Sequence, residues 1–306
     1  LLELLVVVAI LAAVAGTATI VLQDTDRRAS AAAHVAMMDE LKKGVMTFSV
    51  LRQGLLPDNY DSLLQSSDGT AANATALMSR LAESTAGMLE VRALPTGAGG
   101  TNGTLAGMGI TQMRLINLAA EPVGAGAVTT CANLQTLVND KSGGTVINNI
   151  YNAVSASGCG VSYALAASVN VAMWVGGQRR VLGAAEPELG ATTPTADNAA
   201  VATAIPAAPT VKGQRMLMAV GFGPSTTLFD GKIGALSTVP AYRHTAPDEY
   251  NRFIGLFEIA DSAESDTPGT FDTWQAVPPQ LVAVIDGAGD TKEEEIGEFD
   301  GTRSTI

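Results

Sequence analysis

Basic charge, aromatic rings, histidine and cysteine are all scarce in this chain of 306 residues, and each scarcity excludes something. Eighteen Lys and Arg stand against thirty Asp and Glu, a net charge of −12. Such a chain lacks the basic face that nucleic-acid phosphates require, and anionic lipid would repel it. Nucleic acid is therefore not an expected partner. Aromatic residues make up 5% of the sequence, and Phe48 is the first of them. With no CxxCH haem motif either, electron transport along stacked rings is excluded.

Catalysis has little to work with. The two histidines are His34 and His244, and no HExxH, GxSxG or Walker pattern occurs. A Ser-His-Asp triad would rest on His244 alone, which sits between Arg243 and Thr245 as a surface or interface residue does. No enzymatic activity and no cofactor are expected. The Gly-rich stretch TGAGGTNGTLAGMG invites a phosphate cradle. However, Gly97, Gly99 and Gly100 do not complete GxGxxG, and no Lys-Ser/Thr follows, so it reads as a flexible loop.

Metal ligands fare similarly. Asp286, Asp290, Glu293 and Glu294 offer hard oxygens of the kind Ca²⁺ prefers, but their spacing fails the EF-hand pattern. Seven acids between Asp286 and Asp300 face only Lys292, which reads as a solvated acidic tail, mobile at its end. Two cysteines, Cys131 and Cys159, form no CxxC. Outside the cytoplasm such a pair forms a disulfide, stabilising by about 3.5 kcal/mol on the chain-entropy account. A metal pair or a redox pair would need neighbouring His or acidic partners, which the sequence does not supply.

What the chain has is a long apolar start. Leu1 to Leu22 read LLELLVVVAILAAVAGTATIVL, with Glu3 as the one charge. As a helix, this run would span roughly 33 Å, enough for the ~30 Å hydrocarbon core of a bilayer. A signal peptide would carry basic residues before the run, yet the first are Arg27 and Arg28. A plain anchor has no use for Glu3, because a carboxylate in such a segment is costly and marks a function or a partner.

The string LLELLVVVAILAAVAG resembles the N-terminus of bacterial type IV pilins and type II secretion pseudopilins, the N-terminal methylation-type helix. On that resemblance Glu3 matches the family's glutamate at the fifth mature position, which places two residues before Leu1. The resemblance covers about the first fifty residues. It implies a structural subunit of an extracellular type IV pilus-like filament, a helical polymer built through the apolar helix. Leu1, Leu2, Glu3, Leu4 and Leu5 would form the assembly end, with Glu3 meeting a neighbouring chain's N-terminus. Copies of the chain, an inner-membrane assembly machinery and a prepilin peptidase are the implied partners. The implied location is the inner membrane before assembly, then a surface filament serving adhesion. A pseudopilin, or a pilus-borne adhesin or minor pilin, remains the alternative, as does a membrane-anchored enzyme.

The helix continues beyond the run. Val35, Met38, Leu41, Val45, Phe48 and Leu51 recur at three- and four-residue steps, the mark of one helical face, and Gly54 with Pro57 supplies the stop. Residues 1–53 are thus expected as one helix, with an apolar half over 1–22 and an amphipathic half over 23–53. Within the apolar half, Gly16, Thr17 and Thr19 are the poorest helix formers, and a break is expected there in the assembled state. Close packing through these small residues is the competing explanation.

Residues 54–306 are expected as a globular α+β head. Leu63 and Leu64 start a short helix, and 73–90 and 131–140 are further helical candidates. Strand signals fall at 112–118, 145–151, 161–175, 216–222, 253–259 and 280–285, with Pro278-Pro279 opening the last. The stretch GATTPTADNAAVATAIPAAPTV reads as an exposed low-complexity loop. The fold class expected is α+β and pilin-like: a long N-terminal helix packed on an antiparallel sheet.

Overall fold

A computed structural model describes residues 2–66, 68, 70–76, 88–117, 160–189, 192–194, 200–202, 205–242, 252–264, 268–287 and 289–299. The chain divides into two units, residues 1–37 with 292–306, and residues 38–291.

Helix α1 runs unbroken over Leu2–Leu51 and supplies residues to both units. Its good helix formers, Leu, Ala, Met, Glu and Lys, carry it through Gly16. Gln53 (φ 56°) and Gly54 (φ 94°) adopt left-handed backbone at its end, and the Gly54 N–H donates to the Ser49 carbonyl at 2.8 Å. The expected stop is therefore the observed one. In the larger unit Met38, Leu41, Val45 and Phe48 of α1 are buried as the sequence stripe predicts, but Leu51, expected on the same face, is exposed. Gly44 lies so close to the Leu236 side chain that a Cβ there would stand 2.7 Å from Leu236 Cδ1.

The larger unit is built on a sheet. Strands β1 (Tyr60–Ser66), β2 (Thr75–Ala76), β3 (Leu89–Ala93), β4 (Gln112–Asn117), β5 (Gly160–Ala164) and β6 (Asn170–Trp174) come first. A small hairpin, β7 (Thr192–Pro194) with β8 (Ala200–Ala202), stands apart from the main sheet. Strands β9 (Arg215–Gly221), β10 (Ile254–Glu264) and β11 (Phe271–Ile285) complete it. The main path is β11-β10-β9-β1-β4-β5, with β2 on β1, and β6 joining β9 to β3, nine strands in all. Both faces of β9 and β10 are covered. Leu217, Ala219, Ile254 and Leu256 pack with Leu63, Leu64, Leu115 and Trp174, while Met216, Met218, Val220, Phe257 and Ile259 are buried on alternate positions. Tyr60 sits against Phe222 and Phe257, ring centroids 5.8 and 5.6 Å away.

This sheet overturns the expected fold class. A pilin-like helix on an antiparallel sheet was the expectation, but the sheet is large and mixed, because β1 and β4 run parallel. Parallel neighbours need a crossover of a dozen or more residues, and the chain between Ser66 and Gln112 supplies it. Leu63 and Leu64 are corrected too. They lie in β1 with both faces buried, and Leu63 takes φ 57° at the irregularity where the β1–β4 register shifts. The expected strand at 161–175 is two strands, separated by a turn at which Ser168 has φ 61°. Pro278-Pro279 lies inside β11, where the register with β10 slips between Glu258 and Ala260. Prolines and a bulge on an edge strand block pairing with a further strand.

One more expectation is corrected. Among the described residues no helix is long and apolar enough to cross a membrane. The transmembrane helix, and with it the inner-membrane anchoring and surface location, is therefore withdrawn. No disulfide occurs among the described residues, and Cys131 and Cys159 lie outside them. The expected strand at 145–151 and helix at 131–140 also lie outside the described residues, as does most of 73–90.

Candidate assembly surface

An α-helix of Ala, Val and Leu buries its apolar stripe against something if it is to be stable in water. In the first half of α1, Val7, Val8 and Leu11 are 55%, 56% and 62% exposed. Ala12, Ala15 and Gly16 are exposed as well. These six fall in two adjacent rows, 7-11-15 and 8-12-16, each stepping by four residues, so they form one ribbon along the helix. Its length from Val7 to Gly16 is about 13 Å. Ridges of this spacing are the ones that interdigitate when two helices pack, and small residues let the backbones approach closely.

Of the expected assembly residues, Leu2, Glu3, Leu4 and Leu5 occupy the first turn and a half of α1, and Leu1 lies outside the described residues. A carboxylate in a first turn interacts favourably with the helix dipole whether or not a second chain is present. Gly16, Thr17 and Thr19 all have helical backbone in the single chain, while the break is expected of the assembled state. A Cβ on Gly16 would meet nothing within 4 Å. No packing inside this chain demands a glycine there.

The other chemistry-bearing residues have structural employment. His34 is buried at 4% exposure, its Nδ1 3.3 Å from Oε1 of Glu295, and His244 lies outside the described residues. Asp286 Oδ1 accepts the N–H groups of Gly289 and Asp290, both at 2.8 Å, so it shapes a turn. Asp290 lies 3.8 Å from the Arg180 guanidinium. Glu293 and Glu294 belong to the first turn of a C-terminal helix, Lys292–Phe299. Among the described residues no three His, Cys, Asp or Glu side chains converge as metal ligands would.

The Gly-rich stretch folds into turns around the short helix α2 (Thr104–Gly107), where a flexible loop was expected. The N–H groups of Gly103, Thr104 and Leu105 already donate to the carbonyls of Gly100, Gly97 and Ala98. Those three amides are closed to a phosphate. Gly99 is needed for close approach, since a Cβ would stand 2.4 Å from the Ala166 carbonyl oxygen.

Sequence reasoning missed one polar hub. Asp58 Oδ1 accepts from the backbone N–H of Asn59, Thr111 and Gln112 at 2.8, 2.9 and 3.0 Å, and Oδ2 accepts the Thr111 hydroxyl at 2.6 Å. The Asp58 N–H in turn donates to Thr227 Oγ1 at 2.8 Å. The Pro57-Asp58-Asn59 run was the available signal, an Asx turn at a strand entry. It sets the entry of β1 beside β4.

Among charged groups, Arg215 lies 3.6 Å from Glu186 and 3.3 Å from Glu258. Burial raises the Glu258 carboxyl above its ordinary range, with Asp261 and Glu186 adding to it and Arg215 opposing. Arg215 and Glu258 lie on the paired strands β9 and β10.

No protein family, curated protein or solved structure matches this chain.

Proposed function

We propose that this chain is a structural subunit of a type IV pilus-like filament, polymerised through the apolar N-terminal half of α1, and not a catalyst. One observation carries the reading: Val7, Val8, Leu11, Ala12, Ala15 and Gly16 form an exposed apolar ribbon on a helix that has no reason to remain uncovered. The resemblance of LLELLVVVAILAAVAG to the pilin and pseudopilin N-terminus names the kind of polymer. Copies of this chain would cover the ribbon, and Glu3 would set the axial register by meeting a neighbour's N-terminal amine. A prepilin peptidase and an assembly machinery are the further partners of this reading.

Burial of Val7, Val8 and Leu11 against a neighbour would contribute about 1.5–3 kcal/mol for each side chain. Summed over the many equivalent contacts of a helical array, that is enough to hold subunits without any covalent bond. Electron microscopy of filament fractions sedimented from cells producing the chain tests the proposal. A helical polymer that reacts with antibody to this chain is the expected result. A protein that stays monomeric in every fraction would overturn it.

A further inference from the structure

Off its buried stripe, the second half of α1 carries another exposed ribbon. Lys42, Met46 and Val50 step by four along one row, and Lys43, Thr47 and Leu51 along the next. Val50 is 81% exposed and Leu51 66%, and Met46 and Leu55, just past the Gly54 stop, are exposed as well. Large apolar side chains grouped in this way mark a contact surface more than singly scattered ones do. The charge around them is unusual for this chain. Acids outnumber bases thirty to eighteen overall, yet residues 41–57 hold Lys42, Lys43 and Arg52 and no Asp or Glu. The ribbon is therefore basic and apolar on an acidic protein.

A surface of the opposite kind lies on the same chain. Residues 253–291 hold seven Asp and Glu and no Lys or Arg, and most of this run is the β10–β11 hairpin. Beyond the Arg215–Asp261 pair, where β9 begins, β10 and β11 continue as a pair of their own. Ser262 stands opposite Trp274 there, Ala263 opposite Thr273, and Glu264 opposite Phe271. Glu264 and Asp272 are exposed, and Phe271 and Trp274 are half-buried. Carboxylates beside two accessible aromatic rings complement lysines beside Met, Val and Leu. Both surfaces belong to the larger unit.

We propose that the Lys42–Leu55 ribbon of one copy docks on the end of the β10–β11 hairpin of a second copy. Lys42 and Lys43 meet Glu264 and Asp272, and the apolar residues meet Phe271 and Trp274. Two different surfaces make this contact, so each copy keeps one of them open for the next, and the contact propagates as an open row. It uses none of Val7, Val8 and Leu11, and so does not rest on the filament reading, although a filament would gain from it a contact between heads. An anionic bilayer is the other acidic surface a basic ribbon could meet. It is disfavoured because the chain brought to it carries a net charge of −12.

Photo-crosslinking of the full-length protein in non-ionic detergent tests this, with p-benzoyl-phenylalanine in place of Val50 and isotope-labelled and unlabelled copies mixed equally. Crosslinks to peptides covering residues 261–274 are expected, about half of them joining a labelled to an unlabelled chain, as random pairing of copies gives. Their yield should fall by about fivefold or more at ~0.5 M salt, which screens exposed charge. Lys42→Glu/Lys43→Glu copies alone, and Glu264→Lys/Asp272→Lys copies alone, should lose the crosslink to a similar extent. A mixture of the two variants should recover it, because each supplies the charge that the other now needs. All four positions are exposed, and unchanged circular dichroism confirms that the variants fold. The crosslink should persist in Val8→Glu, which separates this contact from packing of the N-terminal halves. Crosslinks within single chains only, crosslinks landing elsewhere, insensitivity to salt, loss in Val8→Glu, or a mixture that recovers nothing would each overturn the proposal. So would flotation of the native chain with phosphatidylserine vesicles that Lys42→Glu/Lys43→Glu abolishes, since that assigns the ribbon to a membrane.

Discussion

Asp58 holds Thr111 twice, accepting its hydroxyl at 2.6 Å through Oδ2 and its backbone N–H at 2.9 Å through Oδ1. The two residues stand at the entries of parallel neighbours, β1 and β4, which no hairpin joins. Their register therefore depends on side-chain chemistry outside the ladder. The carboxylate supplies it with four acceptor contacts, three of them fixing Thr111 and Gln112 where β4 takes up its pairing with β5.

Asp58→Ala is accordingly expected to destabilise the larger unit by about 2–4 kcal/mol, since it removes charge-assisted bonds from several backbone donors at once. Thr111→Val should cost less, about 1 kcal/mol, because the backbone contact survives. Urea unfolding of the two variants, read by tryptophan fluorescence from buried Trp174, measures both. Equal losses would mean that the hydroxyl contact, and not the whole hub, sets the register.

Tyr60 gives a second test, with the opposite sign. Its ring is fully buried between Phe222 and Phe257, and its hydroxyl has no hydrogen-bond partner among the described residues. Burial raises the phenol well above its ordinary value, and the charge of Asp58 adds to this. Tyr60→Phe should therefore leave stability unchanged or raise it by about 1 kcal/mol, a rare outcome for a fully buried position.

The same group predicts a pH dependence. The folded chain keeps Tyr60 neutral while the unfolded chain ionises it near pH 10, so the unfolded state binds fewer protons there. Stability from this group is intact below about pH 10 and is lost as pH rises beyond it. Tyr163, whose phenol is also raised by burial, acts in the same direction, and the Ser62 hydrogen bond opposes the shift. Alkaline unfolding of Tyr60→Phe should set in at higher pH than in the native chain. An unchanged alkaline limb would assign the loss to other groups.

The sequence was most legible where periodicity and punctuation agreed. Met38 to Phe48 and the Gly54 stop were both read correctly, because a three-four apolar row and a left-handed C-terminal turn are local signals. Strands β4 and β9 likewise emerged within a residue or so of their bounds. Leu63-Leu64 was misread because a Leu pair favours a helix, and only the burial of both its faces makes a strand of it. The mixed order of the sheet was out of reach, since β1–β4 pairing depends on a long crossover and on Asp58, neither of which has a period. At the candidate assembly surface the apolar residues were evident, while the contact of Glu295 with His34 links positions too far apart for any local pattern to show.

Glu3 is expected to matter for assembly and not for folding. It lies in the first turn of α1, where a single carboxylate contributes about 0.3–1 kcal/mol to the helix. Glu3→Ala should therefore keep the circular dichroism and thermal midpoint of the native chain within about 1 kcal/mol, yet abolish sedimentable polymer. Glu3→Gln, which keeps shape and loses charge, separates register by charge from register by packing. Normal filament yield from Glu3→Ala would remove the amine–carboxylate contact from the proposed assembly.

The last prediction concerns Gly16. In the single chain α1 is continuous through it, and a Cβ there would meet nothing within 4 Å. Steric need inside the chain therefore does not explain the glycine, and two reasons outside it remain. Either a neighbouring helix approaches at Gly16 in the polymer, or the helix must yield there once packed. Gly16, Thr17 and Thr19 together are the weakest helix formers in the apolar half, and a local unwinding between Ala13 and Ile20 would free the head from the angle of the packed segment. The cost is exposed backbone in an apolar array, several kcal/mol if unpaired, which the Thr17 and Thr19 hydroxyls would partly offset. Gly16→Ala distinguishes the reasons. In the monomer it should only strengthen the helix, by about 1 kcal/mol. In the polymer, a yielding turn would become stiffer, so filaments should still form but resist extension under load. A close contact would instead clash with the added methyl and prevent filaments from forming. A filament map of the native chain with unbroken helical hydrogen bonding from Ala13 to Ile20 would exclude the yielding turn and leave the close contact as the reason for the glycine.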